Sequence, residues 1–354
     1  MKLMALGDIS FSRKLKDIQV EKIQDEIFEI TKKADVLFGN LETPLTNSNK
    51  KETSHYAKIL ETEGRVHLKS STSKIKILEK FGFDVLSIAN NHILDYKERG
   101  LEDTMSTLEN SSIKYVGAGK NLRESRTPKF VRVGNRKLGF LAYCFTYEAT
   151  FFSAGCAPLW RKFIEKDINK VKGECDYLII SLHTGEEYQT FSGQGEIELA
   201  RKLIDKGTDI VLMHHTHVLR GIEKYNGGLI AYGLGNFMFD SHLSDLSDEQ
   251  LKEKTKQSMI LDISLKKHEA CEYNVIPIYI DNQGLPTIPT SKKKKEILKN
   301  IEKYSKKKSI EPIKYGKKYY NDRLSKLCRI ILKSIKQGNI KNVYLLILRF
   351  IMGR

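Results

Sequence analysis

Residues 85–95 read VLSIANNHILD: a short apolar, partly β-branched run, Val85–Ala89, ends abruptly in Asn90-Asn91-His92. Such a run reads as a buried strand whose carboxyl end carries polar side chains. The same grammar recurs. Leu3–Leu6 leads into Gly7-Asp8, Val36–Phe38 into Gly39-Asn40, Leu178–Leu182 into His183, and Ile210–Met213 into His214. Helical stretches are expected between them, at roughly 14–33, 72–82, 97–111, 161–173 and 194–207, the first with Ile23, Ile27 and Ile30 at helical spacing. Strand and helix in alternation predict an α/β sheet. Turn signals at Gly134-Asn135 and Asn226-Gly227, each between two strand-like runs, predict hairpins, and Met259–Leu265 with Tyr273–Ile280 makes a third pair. The fold class is therefore α/β with mixed sheets.

Composition narrows the class. With 354 residues, 40% hydrophobic and seven Pro, the chain is neither disordered nor fibrous. Its net charge of +16 is local: residues 291–354 hold 20 of the 60 Lys and Arg but 4 of the 44 Asp and Glu, leaving residues 1–290 balanced at 40 and 40. We therefore expect a domain over 1–290 and a basic helical tail over 291–354, with the boundary past Pro289. The five Cys are scattered without a CxxC pair, which argues against a disulfide framework or a thiolate zinc site. No window reaches the roughly 18 apolar residues of a spanning helix, and the first ten residues lack the apolar centre of a secretory signal. The expected location is cytoplasmic, with any membrane contact peripheral.

In open α/β sheets ligands bind beyond the carboxyl ends of strands. Here those ends carry Asp8, Asn40 with Glu42, Asn91 with His92, His183, and His215 with His217. Oxygen and imidazole donors without thiolate favour Mn²⁺, Fe or Zn²⁺. His-x-His at a strand end would set both imidazoles on one face.

The order of these residues resembles the metallophosphoesterase series, and more closely the CapA family of capsule and poly-γ-glutamate synthesis proteins. The matching stretches are Gly7-Asp8, Asn40–Leu45, Ser87–Asp95, Tyr115–Gly119, His183–Tyr188, His214–Val218 and Gly233–Phe237. The resemblance implies a four-layer αββα sandwich with two divalent metal ions, Mn²⁺ foremost, at the strand ends. It implies that Asp8 and His217 hold one ion, that Asn91, His183 and His215 hold the other, and that Glu42 bridges them. His92 would be the catalytic acid, with Asn40, Glu187, Tyr188 and Asn236 at the substrate. Three positions depart from the phosphoesterase series: Ser10 replaces its His, Glu42 its bridging Asp, and His214 a Gly.

The implied function is hydrolysis of a phosphoester or related bond in making or processing a cell-surface polymer. The alternatives are a non-hydrolytic accessory subunit of a polymer synthase, or metal-independent, epimerase-like proton transfer on the same fold. The expected partner is an anionic polymer or a lipid-linked precursor rather than nucleic acid. Within the tail, Arg323–Lys336 sets Leu324, Leu327, Cys328, Ile331 and Ile335 on one helical face beside basic residues, a pattern suited to an anionic membrane surface.

Overall fold

The computed structural model describes residues 1–52, 67–240, 248–266 and 271–306. Sixteen strands are formed among the described residues, in chain order β1 (Lys2–Ile9), β2 (Val36–Leu41), β3 (Val85–Ser87), β4 (Lys114–Val116), β5 (Ala118–Gly119), β6 (Lys129–Val133), β7 (Arg136–Cys144), β8 (Gly155–Cys156), β9 (Tyr177–His183), β10 (Ile210–His214), β11 (Ile222–Tyr225), β12 (Gly228–Ala231), β13 (Asn236–Met238), β14 (Gln257–Ser264), β15 (Glu272–Ile280) and β16 (Pro286–Thr287). One sheet runs β16-β15-β14-β1-β2-β3-β4 with β13 also on β1, a second runs β11-β12-β10-β9-β7-β6, and β5 and β8 form a small ribbon. Both large sheets are mixed. Parallel pairs such as β1–β2 and β9–β10 sit beside antiparallel ones such as β6–β7, β11–β12 and β14–β15. The hairpins follow from their turns: Gly134 and both Asn226 and Gly227 have positive φ, which glycine and asparagine adopt most readily.

The second sheet is covered on both faces. Along β7, Leu138, Phe140, Ala142 and Cys144 enter a core shared with the first sheet, whereas Leu141 and Tyr143 enter another core with the helices Arg161–Val171 and Gln194–Asp205. This is the period-two alternation of a strand. Phe38 of β2 meets Phe140 of β7 across the shared core, with ring centroids 5.7 Å apart. The shared core also takes Ile27 and Phe28, Ile77 to Phe81, and Leu101 to Leu108 from helical segments on the first half of the chain.

Two expectations need correction. The stretch 14–33 is not one helix. It forms 3-10 turns at Arg13–Leu15 and Val20–Lys22, then a helix only over Asp25–Thr31. Ile23 is buried in an extended conformation (φ −90°, ψ 133°), which interrupts the helical path between them. Further along, the compositional break at Pro289 is not a structural one, because the first compact unit runs Met1–Lys308. Its last helix, Ser291–Lys306, buries Ile297 and Ile301. Lys293 Nζ reaches Glu253 Oε1 at 2.6 Å, and Gln257 Nε2 donates to Glu296 Oε1 at 2.8 Å. The lysine run is thus the rim of a docked amphipathic helix. The amphipathic stretch Arg323–Lys336 lies outside the described residues.

Candidate metal centre

Strand registers bring the polar ends together. Asp8 lies opposite Asn40 on one side and Asn236 on the other, and Cys144, His183 and His214 are successive partners across β7, β9 and β10. Close approach of β1 to β13 requires glycine, since a Cβ on Gly7 would stand 2.0 Å from the Gly235 carbonyl oxygen. The Asp8 amide instead donates to that oxygen at 3.0 Å.

Six side chains from five segments converge there: Asp8, Glu42, Asn91, His183, His215 and His217. Ligand atoms of Asp8, Glu42 and His217 lie within 4.8 Å of one another, as do those of Glu42, His183 and His215, so both groups could hold a metal ion and Glu42 belongs to both. Asn91 Oδ1 stands 2.8 Å from His183 Nε2, which adds an amide oxygen to the second group.

His215 and His217 do not owe their placement to strand alternation. β10 ends at His214, and both residues lie beyond it in left-handed backbone, with φ of 92° and 58°. Non-glycine residues rarely hold such conformations, and they gather at functional sites. The last strand residue, His214, places Nδ1 3.1 Å from Asp8 Oδ1, the bond by which the histidine-for-glycine difference supports the site.

Electrostatics follow burial. Glu42 is fully buried, neither carboxylate oxygen has a hydrogen-bond partner among the described residues, and its Oε1 lies 3.7, 3.9 and 4.0 Å from imidazole nitrogens of His217, His183 and His92. Burial, reinforced by the Asp8 and Glu187 charges, pushes its carboxyl well above the usual range. Burial and the neighbouring imidazoles hold His183 well below its ordinary value, and burial takes His215 down to about 4. Asp8 goes the other way: burial would raise it, but the His214 hydrogen bond and the His214 and His217 charges outweigh that.

A divalent cation fits this donor set. Two orphaned carboxylate oxygens and the orphaned Nδ1 of buried His215 are costly in a dry interior unless something positive engages them. The donors are oxygen and imidazole. Buried Cys144 is near enough to act on the Glu42 charge but belongs to neither ligand group.

His92 belongs to neither ligand group but stands beside them. Its Nδ1 is 2.6 Å from Asp95 Oδ2, which also accepts from the Leu68 amide at 2.8 Å, so the ring presents Nε2 toward Glu42 at 4.0 Å. Asp95 closes the motif at 85–95, and its role was not read from the sequence, although an acid three residues after a histidine was the available signal. Ser10, standing where the phosphoesterase series has histidine, is buried and accepts a hydrogen bond from Thr43 Oγ1.

The residues expected at the substrate divide. Glu187 stays 43% exposed with Oε1 4.0 Å from His215 Nε2, and the Tyr188 ring lies 6.0 Å from that of His217. Asn40 and Asn236 are fully buried and engaged with the cluster itself: Asn40 Nδ2 donates to Asp8 Oδ1 at 2.8 Å, and Asn236 Oδ1 pairs with His217 Nδ1 at 2.9 Å. Both orient ligands, as outer partners of metal sites do. Phe145 and Phe239, missed in the sequence, pack on His215 and His217 at centroid distances of 5.0 and 4.8 Å. Single aromatic residues in apolar surroundings gave no signal of this.

Capsule biosynthesis protein CapA of Bacillus anthracis is 27% identical over 340 residues, covering 91% of this chain and 79% of that one. PGA biosynthesis protein CapA of Bacillus subtilis is 29% identical over 310 residues, covering 85% and 77%. A solved structure described as a novel phosphatase from Mycoplasma pneumoniae aligns more loosely, at a TM-score of 0.49 and 14% identity over 84% of this chain and 96% of that one. Residues 2–241, which hold every member of the cluster, match the family model described as bacterial capsule synthesis protein PGA_cap, and the chain belongs to that family.

Proposed function

We propose that the chain is a two-metal hydrolase of phosphoester or related bonds that acts in making or processing a capsule or similar surface polymer, on a four-layer αββα sandwich. The observation that carries this reading is Glu42, a fully buried carboxylate without a hydrogen-bond partner, shared by two groups of metal-competent side chains. On this reading Asp8, Glu42 and His217 hold one ion and Glu42, Asn91, His183 and His215 the other, with Mn²⁺ the first candidate and Fe or Zn²⁺ next. A bound pair of ions supplies an activated water and a polarised ester oxygen. The protein's own contribution is positional. Asp95 fixes the His92 tautomer so that Nε2 can give a proton to the leaving oxygen. Phe145 and Phe239 keep bulk water from the imidazoles they cover.

The substrate would be an anionic polymer or its lipid-linked precursor. The chain would work in the cytoplasm, with the amphipathic stretch Arg323–Lys336 holding it at an anionic membrane face; no described helix is long and apolar enough to cross one. One observation favours a second reading, an accessory subunit without turnover: Ser10 is tied to Thr43 and offers no imidazole to the Asp8 group. Metal analysis with a chromogenic phosphodiester assay in Mn²⁺ separates the two. The hydrolase reading expects about two ions per chain, turnover, and a His92→Ala variant that keeps its metal but loses about 10²-fold or more in kcat. Bound metal without turnover supports the accessory subunit.

A further inference from the structure

Arg220 is the largest fully buried side chain in the described protein, 1% exposed, and lies three residues past His217. All three guanidinium nitrogens are engaged. Nε donates to the Gln189 carbonyl at 2.7 Å, Nη2 to the Glu186 carbonyl at 3.1 Å, and Nη1 to Glu196 Oε1 at 2.8 Å. Two of these grip the loop that carries Glu187 and Tyr188, and the third ties it to the helix Gln194–Asp205. From the other side, the Tyr188 amide donates to the Thr216 carbonyl at 2.8 Å, between the two histidine ligands. Gly185 completes the fit: at its φ of 115° a Cβ would stand 2.5 Å from Glu196 Oε1 and 3.1 Å from Arg220 Nη1. In this loop the half-exposed carboxylate of Glu187 stands 4.0 Å from Nε2 of buried His215.

We propose that Glu187 selects substrates that carry a nitrogen donor, an ammonium or amide N–H, next to the bond that reacts at the metal centre, and that Arg220 is the positioning residue that holds Glu187 there. The proposal rests on the hydrolase reading for the existence of a substrate at this site. A half-exposed carboxylate beside a buried ligand accepts from a nitrogen donor and offers nothing to a methyl group in its place. A buried guanidinium spanning two carbonyls and a carboxylate fixes geometry better than a lysine would.

The test uses the full chain loaded with Mn²⁺ and compares binding of phosphoethanolamine with that of propyl phosphate, which shares the phosphate and length but ends in methyl. Calorimetry should show phosphoethanolamine binding roughly fivefold tighter, the scale of a partly exposed charge pair. Glu187→Gln should erase the preference, Arg220→Met should erase it likewise, and the double variant should lose nothing more. A purely structural role for Arg220 would weaken both ligands alike and leave the ratio intact. If Arg220→Met does not fold, Glu196→Gln, which releases one bond of the clamp, should still reduce the ratio. Equal affinities in the unaltered chain, binding of neither ligand, a preference that survives Glu187→Gln, or a preference that survives every loosening of the clamp overturns the proposal. An intact preference without turnover of chromogenic esters overturns only the hydrolase reading.

Discussion

The two halves of the cluster share Glu42 but are built differently. In the Asp8 half both ligands other than the shared Glu42 are oriented by protein partners: Asp8 Oδ1 receives Asn40 and lies by His214, Oδ2 receives the His215 amide, and His217 Nδ1 pairs with Asn236, itself fixed to the Thr255 carbonyl. In the other half His183 is met by Asn91 and Asn40, but among the described residues His215 Nδ1 has no partner, so beyond the shared and equally unpartnered Glu42 this half alone has an unoriented ligand. One half is preorganised by hydrogen bonds, and the other depends on the ion to satisfy it. Binding and folding should therefore be coupled more tightly in the second.

The largest effect should come from the residue the halves share. Glu42→Gln keeps the shape, removes the bridging charge, and should reduce Mn²⁺ from about two ions per chain to none at micromolar metal. The metal-free variant should lose little stability, because burial already disfavours the charged carboxyl and an amide of the same shape carries no charge to desolvate. Metal analysis and thermal melts with and without Mn²⁺ read both. A variant that keeps two ions shows that the halves do not share a ligand.

Next in size is the pH response of the metal-stripped chain. His183 and His215 are depressed in the fold, His215 to about 4, whereas an unfolded imidazole titrates near 6.5. Their contribution is whole above pH 6.5 and is lost as pH falls toward 4, because the unfolded chain binds the protons. Glu42, raised by burial, works in the opposite direction: its contribution is present at low pH and lost as pH rises through its folded value. His215→Ala should flatten the loss between pH 6.5 and 4 by about 3 kcal/mol in denaturant titrations. An unchanged slope would mean His215 is not held neutral by its half of the site.

Asp8→Ala should affect the metal-free fold itself, costing about 1–3 kcal/mol, because Asn40 Nδ2 and His214 lose a buried partner. His215→Ala at pH 8 strands no hydrogen-bonded partner of its Nδ1 and should cost the metal-free chain less. Chemical denaturation of both after chelation checks the order, and a reversed order would remove the distinction between the halves.

The ligands were more legible in the sequence than their supports. Asp8, Asn91, His183 and His217 follow apolar runs within a few residues, so strand grammar alone put them at the carboxyl ends of strands. Asn40 and Asn236 stand in the same motifs, but nothing in a linear chain says whether an asparagine faces substrate or a histidine. That depends on the register between β1, β2 and β13, which is set by long-range pairing. The left-handed turn at His215 and His217 was hidden for a related reason, since positive φ is usually signalled by glycine. The helix Ser291–Lys306 was read as tail because its lysines dominate its composition, while burial of Ile297 and Ile301 needs the folded sheet to exist.

The smallest effect sharpens the comparison most. Asn236 touches no proposed ion directly; it orients His217 through Nδ1 and is anchored on the Thr255 carbonyl at 3.2 Å. If the Asp8 half is preorganised by such partners, Asn236→Ala should weaken one Mn²⁺ by about tenfold, the lower end of what outer partners contribute, and leave the other unchanged. The freed His217 Nδ1 is then left without an orienting hydrogen bond, as His215 Nδ1 is among the described residues. Calorimetric titration of the variant should resolve one shifted and one unshifted binding event, with turnover recovered at higher metal. Equal weakening of both ions would mean that Glu42 transmits the disturbance and that the halves are one unit. No weakening at all would mean that packing by Phe239 against His217 already suffices to hold the ring.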